Sequence, residues 1–226
     1  MSESCALAVE ASSERLSLAA CRGGRVESFS AMPARTATAA IYEHAAELLV
    51  RLGAGFADLD YVAFGCGPGS FTGLRLAAAA AQSLAYAGGI PVCRVSSFAV
   101  LAAGAGPGVH AICQDARMGA AHAGLYRVEA ERDVPVALMA DALVDPALYL
   151  FPGNQPLIAL GGGWQAFAAM RERHAARLLG LRADCLPSAR DLLRIADQDF
   201  RAGRTVAPAD ALPEYLGQSP VSRLGS

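Results

Sequence analysis

The stretch with the clearest chemical potential is Gly65-Cys66-Gly67-Pro68-Gly69-Ser70-Phe71-Thr72-Gly73-Leu74-Arg75. It joins a short apolar run, Tyr61-Val62-Ala63-Phe64, to the alanine- and leucine-rich run from Leu76 to Tyr86. The change of pattern predicts a strand turning sharply into a helix, with Ser70 or Thr72 capping the first turn. Free N–H groups at such a helix start favour an anion, so phosphate is the first ligand to test. A P-loop needs a lysine, and all 19 basic residues of this chain are arginine. A dinucleotide fingerprint needs glycine at its first, third and sixth positions, but counting from Gly65 or Gly67 puts Ser70 or Thr72 sixth. Arg94, after the next strand, matches a 2′-phosphate contact in kind, but the glycine spacing leaves this dinucleotide reading a weak rival.

The remaining reactive side chains are scattered. His44, His110, His122 and His174 form neither HxxxH nor HExxH, so no metal site is expected. Ser70 does not lie in a GxSxG elbow. Cys5, Cys21, Cys66, Cys93, Cys113 and Cys185 never form CxxC and mostly lie in apolar runs, which predicts reduced, buried thiols. Cys66 stands apart because it lies near a helix start, where a thiol pKa can fall. Two turns carry a carboxylate at a strand end: Glu10-Ala11-Ser12-Ser13-Glu14 and Asp115-Ala116-Arg117-Met118-Gly119. Asp115 is equally suited to pairing with Arg117, capping its turn or holding a ligand.

These residues must be placed by alternating strands and helices. Ala6 to Glu10, Arg15 to Ala20 and Arg25 to Phe29 read as strands, with Gly23-Gly24 as a tight hairpin. Thr36 to Leu52 reads as an amphipathic helix with Ile41, Ala45, Leu48 and Leu52 on one stripe. The helix from Leu74 to Tyr86 carries five consecutive alanines, Ala77 to Ala81, which permit close approach of another helix. Gly88-Gly89 ends it, and Ile90 to Val95 is the next strand, completing a β-α-β unit. A short helix, Phe98 to Ala103, leads to the boundary Gly104-Ala105-Gly106-Pro107-Gly108. Beyond it, Val109 to Asp115 and Ala120 to Val128 repeat the opening layout of strand, carboxylate-bearing turn and strand. Leu157 to Leu160 runs into Gly161-Gly162-Gly163, followed by a helix from Trp164 to about Leu179. The arginines between 171 and 204 are interrupted by acidic residues and lack interleaved aromatics, which points to solvated helix faces rather than an RNA site.

With 226 residues, 54% of them hydrophobic, the chain can build a large core, and an ordered protein is expected. A net charge of -2 gives no global attraction to nucleic acid or an anionic membrane. The absence of lysine removes Schiff-base chemistry. No basic n-region opens the chain, and Gln82 interrupts the longest apolar run, so a soluble, cytoplasmic protein is expected.

The residues Gly65 to Arg75 resemble, almost letter for letter, the GxGPGSFTGLR signature of the bacterial TsaB (YeaZ) family. Asp115-Ala116-Arg117 is similar to the family's DAR motif. Leu212-Pro213-Glu214-Tyr215-Leu216 is similar to its closing PxYLR, with Gly217 where arginine usually stands. The likeness covers residues 6 to about 126 strongly and 157 to 216 weakly. It implies an actin-like, Hsp70-like (ASKHA) α/β fold of two lobes: residues 1–103 with the partner-binding helices, and a reduced lobe over 104–226 with a mobile tail from Gly217.

The resemblance also implies a function. It is that of a non-catalytic subunit of the tRNA N6-threonylcarbamoyladenosine transferase complex, which binds TsaD and works with the ATPase TsaE in transfer to adenosine 37. It implies a homodimer as an alternative assembly, contact with tRNA only through the complex, no cofactor of its own, and ATP or ADP at most at the complex interface. Gly67, Pro68, Gly69, Ser70, Phe71, Thr72, Gly73 and Arg75 would then orient the second helix, and Ala79, Ile41 and Leu48 would lie in the helical interface. Glu10, Ser12, Asp115 and Gly162 would outline a weakened nucleotide cleft. Where the family usually reads Asp-Thr-Ser-Thr, this chain has Glu10-Ala11-Ser12-Ser13, which changes both reach and donor count. The HxxxH pair of TsaD is missing. A stand-alone nucleotide hydrolase or peptidase of the actin-like group is the competing expectation.

Overall fold

Ala6–Glu10 (β1) is buried along its whole length because both faces of its sheet are covered, which is why it reads as an unbroken apolar run. In this computed structural model, residues 4–32 and 38–217 are described. β1 pairs antiparallel with Leu16–Arg22 (β2), and β2 with Arg25–Ala31 (β3). Gly23 and Gly24, at φ 56° and 79°, supply the left-handed pair of residues that a two-residue hairpin requires. Tyr61–Gly67 (β4) and Val92–Ser96 (β5) add on in parallel, giving the order β3-β2-β1-β4-β5.

Strand alternation sorts this sheet into two faces. Leu7, Val9, Val62 and Phe64 join one core with Thr38–Arg51 (α1) and Phe71–Gly88 (α2). The other face is lined by small residues, Ala6, Ala8 and Ala63, all fully buried. Ala189–Arg201 (α6) packs there on β1, β2, β4 and β5. Tyr61 stacks on Phe200 of α6 with ring centroids 4.5 Å apart, and the Cys93 thiol lies 3.6 Å from the Ala196 carbonyl. Ser97–Ala105 (α3) is buried from Ser97 to Ala103.

The second sheet contains Gly108–Arg117 (β6), Ala120–Glu129 (β7), Arg132–Val144 (β8), Leu157–Leu160 (β9) and Leu178–Arg182 (β10). Its order, β8-β7-β6-β9-β10, repeats the first sheet strand for strand, with the same antiparallel and parallel pairings. The duplicated strand, turn and strand layout is therefore present, and the architecture is the two-unit, actin-like α/β arrangement. Gly163–Ala166 (α4) and Ala168–His174 (α5) follow β9. Trp164 is fully buried, stacks on Phe151 at 5.7 Å and donates its indole N–H to the Ala111 carbonyl at 2.9 Å.

Three sequence expectations change. The long helix from Trp164 to about Leu179 is two short helices, and its end is β10, because Leu178–Arg182 completes the sheet beside β9. Arg177 enforces the break by donating to the carbonyls of Phe151, Pro152 and Gln155. The 13-residue strand β8 has no counterpart among the expected elements. The boundary expected after residue 103 falls after Gly104, but Leu186–Glu214 belongs to the first unit with Met1–Gly104. α6 supplies the reason, since it covers the open face of the first sheet. Ala105–Cys185 and Tyr215–Ser226 form the second unit. The expected helix start at Thr36 and the tail beyond Gly217 lie outside the described residues. Among the described residues no helix is long and apolar enough to cross a membrane.

Candidate functional site

The signature turn owes its glycines to two close approaches within the first unit. A Cβ on Gly69 or Gly73 would overlap the carbonyls of Ser12 and Ala11 in the β1–β2 turn. The Ser70 amide donates to the Ser12 carbonyl at 2.7 Å, and the Ser70 hydroxyl accepts the Gly73 amide at 3.4 Å as the N-cap of α2. On its other side, Gly67 adopts φ +127°, and a Cβ there would come within 2.8 Å of the Glu214 carbonyl. The Glu214 amide donates to the Cys66 carbonyl at 2.7 Å, and Ala211 is buried in the core shared with α1 and α2. The two ends of the first unit thus clamp the start of α2. An anion would meet carbonyl oxygens where free amides were expected.

With its start fixed, α2 buries Leu74, Ala77, Ala78, Ala80, Ala81 and Ala85 and turns another stripe outward. Phe71 is 55% exposed and Tyr86 61%, with Arg75 and Ala79 exposed between them. The Arg75 guanidinium lies over the Phe71 ring, 3.7 Å from its centroid. Val50 of α1 is also exposed, at 72%. Phe71, Thr72, Arg75 and Ala79 therefore stand on the surface as the interface expectation requires. Ile41 and Leu48 do not: they are 0% and 1% exposed. Both sit in the chain's own core, because the apolar stripe of α1 packs on β2 and β3. Tyr86 and Val50 are the exposed apolar residues that the sequence reading left out. Their signal was a large apolar side chain off the buried stripe.

The four expected cleft residues divide between the units. Glu10 and Ser12 belong to the first, Asp115 and Gly162 to the second. Glu10 is fully buried: its Oε1 accepts the Ser12 amide at 2.7 Å and its Oε2 the Ser97 hydroxyl at 3.3 Å. Burial pushes its pKa above the usual carboxylate range, against the opposing effects of the Ser12 and Ser97 hydrogen bonds and the Arg15 charge. The Asp115 carboxylate accepts the Arg117 amide at 2.7 Å, which makes it the cap of its own turn. Arg117 and Met118 there adopt φ of 67° and 53°. Gly161 and Gly163 allow the chain to pack on Cys113, while a Cβ on Gly162 would meet nothing within 4 Å. Backbone packing on Cys113 accounts for Gly161 and Gly163 and makes no demand on Gly162. In the first unit the Ser12 amide and the Glu10 carboxylate are already bonded to each other.

Two histidines are bonded to the backbone. His174 donates from Nδ1 to the Met170 carbonyl at 2.7 Å and accepts the Phe151 amide at Nε2 at 3.0 Å. His110 lies 2.7 Å from the Gly106 carbonyl through Nε2. Burial lowers the pKa of both, and of His122. Cys93 and Cys113 are pushed up to about 12 by burial, so neither is a thiolate nucleophile. Cys66, which its place near a helix start singled out, is buried in the core. An open groove of about 470 Å³ in the second unit is lined by Gln165, Arg182, Asp184 and Cys185, and burial raises the pKa of that thiol too. Among the described residues no group of three His, Cys, Asp or Glu side chains is placed to hold a metal.

A five-strand sheet repeated with the same pairings, each copy with a carboxylate-bearing turn after its first strand, defines a two-unit, actin-like α/β protein. A family model described as "TsaD: tRNA N6-adenosine threonylcarbamoyltransferase" matches residues 32–196. The chain is 31% identical over 222 residues to the tRNA threonylcarbamoyladenosine biosynthesis protein TsaB of Escherichia coli K12, covering 93% of each. It is 28% identical to the protein of the same name from Haemophilus influenzae, over 93% of this chain and 92% of that one. Among solved structures, YeaZ from Pseudomonas aeruginosa superposes with a TM-score of 0.83 at 31% identity, over 94% of this chain and all of the other. A Pseudomonas aeruginosa protein described as similar to peptidase YEAZ gives a TM-score of 0.87 at 32% identity, over 95% and 100%. The chain belongs to the TsaB (YeaZ) family.

Proposed function

We propose that this chain is a non-catalytic subunit in the biosynthesis of N6-threonylcarbamoyladenosine on tRNA, and that it works by docking a TsaD-type transferase through α2. The observation that carries the reading is the outward stripe of Phe71, Arg75, Ala79 and Tyr86 on a helix whose entry is fixed on both sides by its own chain. Aromatic and arginine side chains presented on a rigid element are the usual anchors of a protein interface. A second copy competes for the same stripe. TsaE and tRNA meet the chain through the complex, and any ATP or ADP belongs to the assembled interface. The non-catalytic part of the reading is supported by side chains already committed elsewhere: Glu10 to Ser12 and Ser97, Asp115 to the Arg117 amide, His110 and His174 to backbone groups, and His122 to half-buried surroundings.

Size-exclusion chromatography with light scattering, on this protein alone and then mixed with TsaD from the same organism, tests the proposal. A peak of heterodimer mass, growing at the expense of any homodimer, is expected. If the two proteins elute unchanged while TsaD is otherwise competent, the subunit assignment is wrong.

A further inference from the structure

Glu10 is a carboxylic acid in the interior of the first unit, and the space around it is shaped to its end group. Its Oε1 meets the Ser12 amide and its Oε2 the Ser97 hydroxyl, at 2.7 and 3.3 Å. A Cβ on Gly65 would overlap Oε2 and would also come within 2.9 Å of the Ser97 oxygen. Gly65 is therefore the wall that makes room for a carboxyl group between β1, β4 and the start of α3. Its own φ does not fall in the left-handed region, so the backbone does not demand glycine there. The residue is small because Glu10 is large. The site faces no solvent, since Glu10 is 0% and Ser97 2% exposed.

We infer that Glu10 is the built-in occupant of a small carboxyl site: its end group fills a polar cavity, framed by the Ser12 amide, the Ser97 hydroxyl and Gly65, that would otherwise accept a free carboxylic acid of the size of formic or acetic acid. The chain supplies the ligand covalently, with no loss of translational freedom on binding. Truncating the side chain leaves two buried donors without a partner beside a void large enough for the missing group. This inference does not depend on the docking role of α2.

The test is a thermal-unfolding cycle on the full chain with Glu10→Ala, Gly65→Ala and the double variant, repeated in sodium chloride and in sodium formate or acetate at equal ionic strength and mildly acidic pH, where part of the additive is the neutral acid. Gly65→Ala is expected to lower Tm by several degrees in the wild-type background and by much less beside Glu10→Ala, because the new methyl enters vacated space. Glu10→Ala alone is expected to regain Tm saturably with formate or acetate, whereas Glu10→Gln, which keeps the shape, shows no response beyond that of the wild type. Should Glu10→Ala fail to fold in chloride, folding in formate supports the site, and the double variant still reports on the shared space. Additive costs in the cycle, or a formate response no larger than that of Glu10→Gln, would overturn the inference.

Discussion

The Glu214 amide donates to the Cys66 carbonyl at 2.7 Å, binding residues 148 positions apart in the sequence and joining the chain's closing motif to its glycine-rich turn. Without this bond the β4–α2 connection would be held from the β1–β2 side alone. Glu214→Pro removes the donor and is expected to cost about 1–3 kcal/mol. Gly67→Ala attacks the same contact from the other side, since its φ of +127° and the Glu214 carbonyl both exclude a Cβ. It is expected to cost roughly 2 kcal/mol or more. Chemical denaturation of both variants measures this. Wild-type stability in both would mean that the closing segment rests on the loop without supporting it.

The two helices facing the same sheet should separate cleanly by mutation. Ala79→Arg and Tyr86→Ala alter exposed positions of α2, so Tm should stay close to wild type while association with TsaD, or self-association, is lost or weakened. Ile41→Ala and Leu48→Ala empty core positions and are expected to cost about 2–5 kcal/mol. Light scattering and thermal unfolding on the same four samples decide the matter. Loss of association in all four, in proportion to lost stability, would place the effect in the fold rather than in the α2 surface.

Much of the first unit was legible because its signals are local. Glycines beside an apolar run, a serine cap and an alanine-rich helix lie next to one another between Tyr61 and Gly89. β8 was illegible for the opposite reason: Arg132, Asp133 and Pro135 break its pattern, and only its place at a sheet edge lets a proline stand there. β10 follows a helical pattern and becomes a strand through its pairing with β9, a tertiary effect that outweighs local propensity. Ile41 and Leu48 show a further limit. An apolar stripe looks the same whether it covers the chain's own sheet or another protein, and α1 has one such stripe, which its sheet uses. The setting of Glu10 depends on Gly65 and Ser97, 55 and 87 positions away, so no window of sequence contains it.

His174 should make the second unit sensitive to acid. Its two hydrogen bonds, to the Met170 carbonyl and from the Phe151 amide, require the neutral ring with the proton on Nδ1. Burial, with Arg177 and Arg173 nearby, lowers its pKa from 6.5. The unfolded chain therefore takes up the proton first. This contribution to stability is complete above pH 6.5 and is lost as the pH falls from there toward the lowered folded value. His110 and His122 shift in the same direction. Stability measured against pH should fall less steeply below neutrality in His174→Gln than in the wild type. Parallel curves would mean that the ring keeps an ordinary pKa.

Glu10 should act in the opposite sense. Burial raises its pKa from 4.5, so the folded chain holds this proton more tightly than the unfolded chain does. Its contribution is complete below pH 4.5 and is lost as the pH rises through the raised folded value, where ionisation must occur inside the protein. Glutamine keeps the shape and cannot ionise. The stability of Glu10→Gln relative to wild type should therefore improve as the pH is raised from 4.5, and level off once wild-type Glu10 is ionised in the folded state. The crossover reads out the folded pKa directly, because no other group differs between the two proteins. A difference independent of pH would mean that the Ser12 amide, the Ser97 hydroxyl and the Arg15 charge fully offset burial, and that the carboxylate is held as comfortably inside the protein as in water.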